Sequence, residues 1–207
     1  YSVTLEENKS REMDIYNKVI ELHNDWRAYN NIAADFLASY TNSISDSLPV
    51  NGDMDQALTW LNKAKENGGA DKSEVLTNLG IIASLNRDFE KAEELFNKAN
   101  TSNHNKATLS LKMGDYRSAS RYYRGQETYN ATLSKILNGD NNSTCSENTA
   151  ACYYLNAISG ARSGNETMLF VNLEKAINLQ RIYKFQAAKD LEFLNYRENE
   201  KFISLTK

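Results

Sequence analysis

The chain has 207 residues, a formal net charge of −3, 41% apolar and 25% charged residues. This describes an ordinary globular chain long enough to bury a sizeable core, neither disordered nor fibrous. No run approaches the roughly 20 uninterrupted apolar residues of a membrane span, and mild acidity supplies no basic surface for a nucleic-acid backbone. Neither a transmembrane segment nor a nucleic-acid partner is therefore expected. A single proline and 9 glycines beside 26 asparagines point to helices joined by polar caps and turns.

The chain starts at Tyr1 without a methionine and reads as a processed or truncated one. Met13, Tyr16, Val19 and Ile20 then fall on one helical stripe, predicting a capping helix over residues 10–24. From there, turn signals recur as Gly52-Asp53, Arg87-Asp88, Gly114-Asp115, Gly139-Asp140 and Gly164-Asn165. The first residue of each pair can close one helix in a left-handed conformation, and the Asp or Asn can cap the next. Hairpins are predicted over 26–66, 73–100, 103–124, 126–146 and 148–178, with a second capping segment over 180–207. An insertion around residues 41–50, holding Pro49, interrupts the first hairpin. The expectation is a single all-α domain, 1–207, of about 10–12 helices.

The second hairpin carries the finest pattern: Leu79-Gly80, then Phe89, Ala92, Phe96 and Ala99. This resembles the tetratricopeptide repeat, with Leu-Gly on helix A, an aromatic after the turn, and small and bulky residues down helix B. Asn31-Ile32-Ala33 with Ala57, Leu61 and Ala64 matches more loosely, as do Tyr116, Ala119 and Tyr123, and Ala157, Leu173 and Ala176. The resemblance implies a degenerate helical-hairpin solenoid coiled as a right-handed superhelix. The stretches DWRAYNNIA, NLGIIAS, LNGD, YYLNAISGARSGN and AAKDLEFLNYRENEKF also resemble tetratricopeptide-containing cell-envelope proteins of Bacteroidetes. That likeness implies a periplasmic or outer-membrane location. Asp46-Ser47-Leu48 matches the Asp-Ser/Thr-apolar motif on which such proteins are O-glycosylated, making Ser47 a candidate modification site.

Cys145 and Cys152 are too far apart for a CxxC redox or zinc pair, and no histidine lies near them in sequence. Two readings stay open, a disulfide implying an oxidising compartment and a pair of free thiols. The two histidines, His23 at a helix end and His104 in an interhelical loop, have no catalytic company in the sequence. Glu93-Glu94 sits beside lysines at helical spacing, as on a solvated face. No enzyme, metal or cofactor is expected.

Binding is the better prospect. Tyrosines concentrate in the later hairpins, and neighbours such as Tyr122-Tyr123 and Tyr153-Tyr154 point about 100° apart on a helix. One of each pair can enter the core while the other faces a groove, with Arg121 adding charge. Asn78 fits one of the places from which some tetratricopeptide domains grip a C-terminal carboxylate, and the matching places are Asn30 and Ala34 in the first hairpin and Thr101 and Asn105 in the third. The basic members of that clamp are missing, so hydrogen bonds between neighbouring helices are expected of Asn31 and Asn78 instead. The sequence thus predicts a noncatalytic scaffold whose concave, helix-A-lined groove takes a protein segment or another domain of its parent chain. The alternative is a glycan-binding accessory protein using the tyrosines, with Trp26 and Trp60 as further platforms.

Overall fold

The computed structural model describes residues 5–45 and 51–207; Ser47 and Pro49 lie outside them. Among the described residues there are twelve α-helices and no strand. They are α1 (Leu5–His23), α2 (Trp26–Ser45), α3 (Asn51–Ala64), α4 (Ser73–Leu85), α5 (Phe89–Ala99), α6 (Asn103–Met113), α7 (Tyr116–Tyr122), α8 (Tyr129–Leu137), α9 (Ala150–Ser163), α10 (Glu166–Leu179), α11 (Ile182–Lys189) and α12 (Glu200–Thr206). A 3₁₀ segment, Leu191–Tyr196, precedes the last helix.

The turns between helices show why the sequence is punctuated as it is. Arg87, Gly114 and Gly164 take positive φ of 63°, 81° and 71°. The next residue's N–H then reaches five positions back: Asp88 to Ala83 O at 2.9 Å, Asp115 to Ser110 O at 2.9 Å, Asn165 to Gly160 O at 2.8 Å. These are Schellman closures, which satisfy carbonyls that a helix end leaves orphaned. The side chain of that same residue accepts from the N–H three positions on, at Lys91 (3.3 Å), Ser118 (3.0 Å) and Met168 (3.0 Å). One residue therefore ends one helix with its backbone and opens the next with its side chain.

Two of the expected tips differ. Gly52 and Asp53 sit inside the first turn of α3. Gly139, at φ 101°, does close α8, but Asp140 opens no helix. Its carboxylate instead accepts from the Asn142 N–H and the Ser143 hydroxyl, and no helix forms before Ala150. The fourth predicted hairpin is thus one helix followed by a loop. His104, expected in a loop, lies in the first turn of α6.

The chain forms two compact units, residues 1–109 and 110–207. In the first, α2 packs on α3 and α4 on α5, while α2 also touches α4, the opening helix of the following hairpin. Ile32, Ala33, Ala57, Leu61, Ala64, Val75 and Ala92 are fully buried, a set rich in small residues that lets the helix axes draw close. At Gly80 the approach is tightest: a Cβ there would stand 2.5 and 2.6 Å from ring carbons of Phe96 on α5. Phe96 therefore fills space within the hairpin, against Gly80, in a cluster with Ala83, Ala92 and Leu109.

The second unit is built around α9 and α10. Gly160 gives this pair its close contact, since a Cβ there would run into the backbone N of Leu169 and lie 2.9 Å from its Cα. Tyr154, Leu169, Phe170, Leu173, Phe193 and Phe202 form the main core, so the terminal segment packs back onto α9 and α10. Leu191 and Leu194 of that segment remain 76% and 55% exposed.

The loop after α8 is fastened from both sides. Thr132 donates to Thr144 O, Ser159 to Asn141 O, and buried Asn156 both accepts from the Cys145 N–H (2.7 Å) and donates to its carbonyl (3.0 Å). These side chains take the backbone groups that a second helix would have paired internally. Cys145 and Cys152 are joined by a disulfide, their Cα atoms 5.4 Å apart. Closing so short a loop is worth about 2–3 kcal/mol in the chain-entropy account.

Candidate functional site

In the first unit the predicted asparagines are occupied by the fold. Asn78 donates to Asn30 Oδ1 at 3.0 Å, tying α4 to α2, and Asn31 pairs with the Tyr16 hydroxyl of α1. The two tryptophans are covered as well. Trp26 has the cations of Arg27 and Lys72 over its ring at 5.3 and 5.9 Å. Trp60 has the Lys63 ammonium over its ring at 4.2 Å and the Tyr29 ring stacked with it at 6.0 Å. Their faces are engaged by cation–π and ring contacts rather than held open for a sugar. A cleft of about 400 Å³ does open beside α3, α4 and α5, floored by Leu76, Leu79 and Ile82 and edged by Lys65, Lys91 and Lys98. It draws on second helices as well as α4, so it differs from a groove lined by first helices alone.

The tyrosine pairs of the second unit split as the helical angle requires. Tyr123 and Tyr154 are buried, while Tyr122 and Tyr153 are half-buried. Tyr122 is covered by the Arg121 guanidinium at 5.2 Å. Tyr153 lies under the Lys175 ammonium at 5.1 Å, and its hydroxyl donates to Asn148. The half-buried partners are thus spoken for.

The open aromatic surface lies elsewhere. Tyr129 of α8, the inner tyrosine Tyr154 of α9, and Ile182, Tyr183 and Phe185 of α11 line a cleft of about 570 Å³. Gln186, Lys189 and Asp190 supply its polar groups. Ile182, Phe185, Gln186 and Lys189 follow the spacing of one helix face, which is why α11 delivers them together. Ile182 and Phe185 are 56% and 53% exposed. The Tyr154 and Tyr183 rings meet at 4.7 Å, and the Tyr154 hydroxyl donates to Asp190 Oδ2 at 2.8 Å. Asp190 Oδ1 accepts from the Glu192 N–H at 3.0 Å, so the carboxylate that orients Tyr154 is itself anchored.

Burial pushes the Tyr154 hydroxyl far above the ordinary tyrosine range, with the Asp190 hydrogen bond and charge adding to it. Burial raises Tyr129 and Tyr183 too. These phenols stay neutral across physiological pH and can donate and accept hydrogen bonds. Raised values oppose their use as nucleophiles, which require a lowered pKa or a neighbouring base. The volume, the apolar rings and a few placed polar groups fit a pocket that binds a ligand.

Of the predicted residues, Tyr154 lines this cleft, whereas Tyr122, Tyr123 and Tyr153 do not. Arg121 belongs to a separate cleft of the same unit. Sequence reasoning missed Tyr183, Phe185 and Asp190. The available signal is the apolar and polar spacing from Ile182 to Lys189, inside the capping segment predicted over 180–207. Cys145, Glu147 and Cys152 would bring three metal-type ligand atoms within 4.8 Å, but the disulfide takes both sulfurs. No helix among the described residues is long and apolar enough to cross a membrane. No family model matches the chain, and no curated protein does.

Proposed function

We propose that the protein is a noncatalytic, tetratricopeptide-like interaction domain of the bacterial envelope that takes an extended protein segment in the aromatic cleft of its second unit. The observation that carries this reading is the α11 face, where Ile182 and Phe185 stand more than half exposed beside Tyr183. Apolar side chains left in solvent at a concave surface gain most by covering an apolar ligand. Gly80 against Phe96 and the α2–α4 contact bridged by Asn30 and Asn78 support the repeat assignment. The disulfide, with the envelope-protein resemblance, supports an oxidising compartment.

A glycan is the second reading. Its specific support is the border of Gln186, Lys189 and Asp190 around aromatic rings, an arrangement suited to sugar hydroxyls. Peptide-display selection and a glycan array on the same protein separate the two. Selected peptides should carry bulky apolar residues, and Phe185→Ala should weaken them about tenfold or more, the scale of a lost anchor at an interface. Peptides indifferent to Phe185→Ala and Tyr183→Ala would overturn the reading, and array binding abolished by the same changes would install the glycan instead.

A further inference from the structure

A second cleft in the same unit has the opposite character. Arg117 and Arg121 lie four residues apart on α7, Arg124 follows in the turn after it, and Lys135 comes from α8, with Ser118 and Ser120 among them around about 590 Å³. Among the described residues the ion pairs are Arg27–Asp25 and Arg162–Glu192, so none of these four cations is in one. Asp115 senses Arg121 and Arg117, and Asp140 senses Lys135. Both are held mainly by hydrogen bonds within their own turns, to Ser118 and to Ser143. Like charges at i, i+4 disfavour an exposed helix, and α7, with seven residues, has little length to offset that. In a chain of net charge −3, such a gathering of cations stands out from the surroundings.

We propose that this cleft binds a small ligand bearing two tetrahedral oxyanions, as phosphate or sulfate esters. Arginine's planar fork meets such oxygens in pairs, and lysine adds a point charge. Arg117 and Arg121 share one face of α7, and Arg124 and Lys135 reach the same cleft from other segments, so four cations are gathered there, enough charge to meet two oxyanions carried on one ligand. The volume is that of a small-molecule site. The acidic balance of the rest of the chain opposes a long polyanion running across it.

The test is calorimetric titration of the whole chain at low salt with a hexose bisphosphate and, separately, a disulfated disaccharide. Binding should weaken as salt is added. Arg117→Gln with Arg121→Gln should raise Kd about tenfold or more, the usual effect of losing charge-assisted hydrogen bonds. Arg121→Lys, which keeps the charge and loses the fork, should fall between. Arg181→Gln, removing an exposed arginine outside the cleft, should leave Kd unchanged. Should the α7 variants lose helical signal, Arg124→Gln gives the same reading from outside the helix. The tighter of the two probes assigns the ester. Failure of both to bind at about 1 mM, or equal weakening by Arg181→Gln, overturns the proposal.

Discussion

At the scale of single residues, the interhelical turns set a conformational demand that one position meets poorly. Gly114, Gly139 and Gly164 carry the left-handed conformation without a Cβ penalty, whereas Arg87 adopts φ 63° with a full side chain. A left-handed L-residue costs about 1–2 kcal/mol, part of which glycine returns through its greater freedom in the unfolded chain. Arg87→Gly should therefore stabilise the protein by about 0.5–1 kcal/mol, read as a rise in the urea midpoint at unchanged slope. A lower midpoint would show that the arginine side chain contributes contacts exceeding its backbone cost. These turns were legible in sequence because their signal is local, a left-handed residue followed by a capping side chain. Asp140 shows the limit of such a signal. Like Asp115 it follows a positive-φ glycine, yet its carboxylate turns to Asn142 and Ser143. A capping residue can begin a helix only if the residues after it have a face to bury. Residues 141–149 place only Cys145 in the core, and they are held instead by Thr132, Asn156 and Ser159 from the flanking helices.

At the scale of elements, two hairpins achieve their close approach in different ways. Gly80 on α4 faces a side chain, the Phe96 ring, while Gly160 on α9 faces the backbone of Leu169. An added methyl at Gly160 meets atoms that cannot move without shifting α10 itself. Gly160→Ala should cost about 1–3 kcal/mol as overpacking, outweighing the helix-propensity gain of at most about 1 kcal/mol. Gly80→Ala should be destabilising too, but a second change, Phe96→Leu, should recover part of the loss by vacating the contested space. The paired variants would show this as a favourable coupling in a double-mutant cycle. Thermal melts in which Gly160→Ala matches the parent would contradict the backbone contact. The sequence pattern marked Gly80 because leucine and glycine stood together as in a tetratricopeptide helix A. In the later hairpin the repeat-like match falls on Ala157, which is buried but one turn short of the contact at Gly160. The candidate cleft was half legible for a related reason. Tyr154 stands in a conspicuous pair, while Tyr183 and Phe185 come from α11 and Asp190 from its end, and the stripe of that helix gives no sign, by itself, of whether it is covered.

At the scale of the whole molecule, acid stability gathers the carboxylates of both units into one observable. Asp25 is held below its ordinary value of 3.8 first by the Arg27 backbone N–H, Asp115 by Ser118, and Asp140 by the Ser143 hydroxyl. A carboxyl depressed in the folded state adds stability that is complete above 3.8 and disappears as pH falls through the folded value. Asp35 works in the other direction: burial and the charge of Glu12 raise it, so its protonation favours the folded chain. With three groups against one, stability should hold from neutral pH to about 4 and fall below that. The turn between α9 and α10 already uses Asn165, an uncharged cap with the same 3.0 Å bond that Asp115 makes. Asp115→Asn should accordingly keep the start of α7 near its parent stability at pH 7, since Asn and Asp cap about equally well. The acid slope of the urea midpoint should become shallower, because one depressed carboxyl no longer takes up a proton. General repulsion among the chain's 24 lysines and arginines would also weaken it in acid, but removing a single aspartate cap would leave that slope no shallower. An unchanged or steeper slope in Asp115→Asn would therefore assign acid lability to net charge rather than to the turns that end and begin the helices.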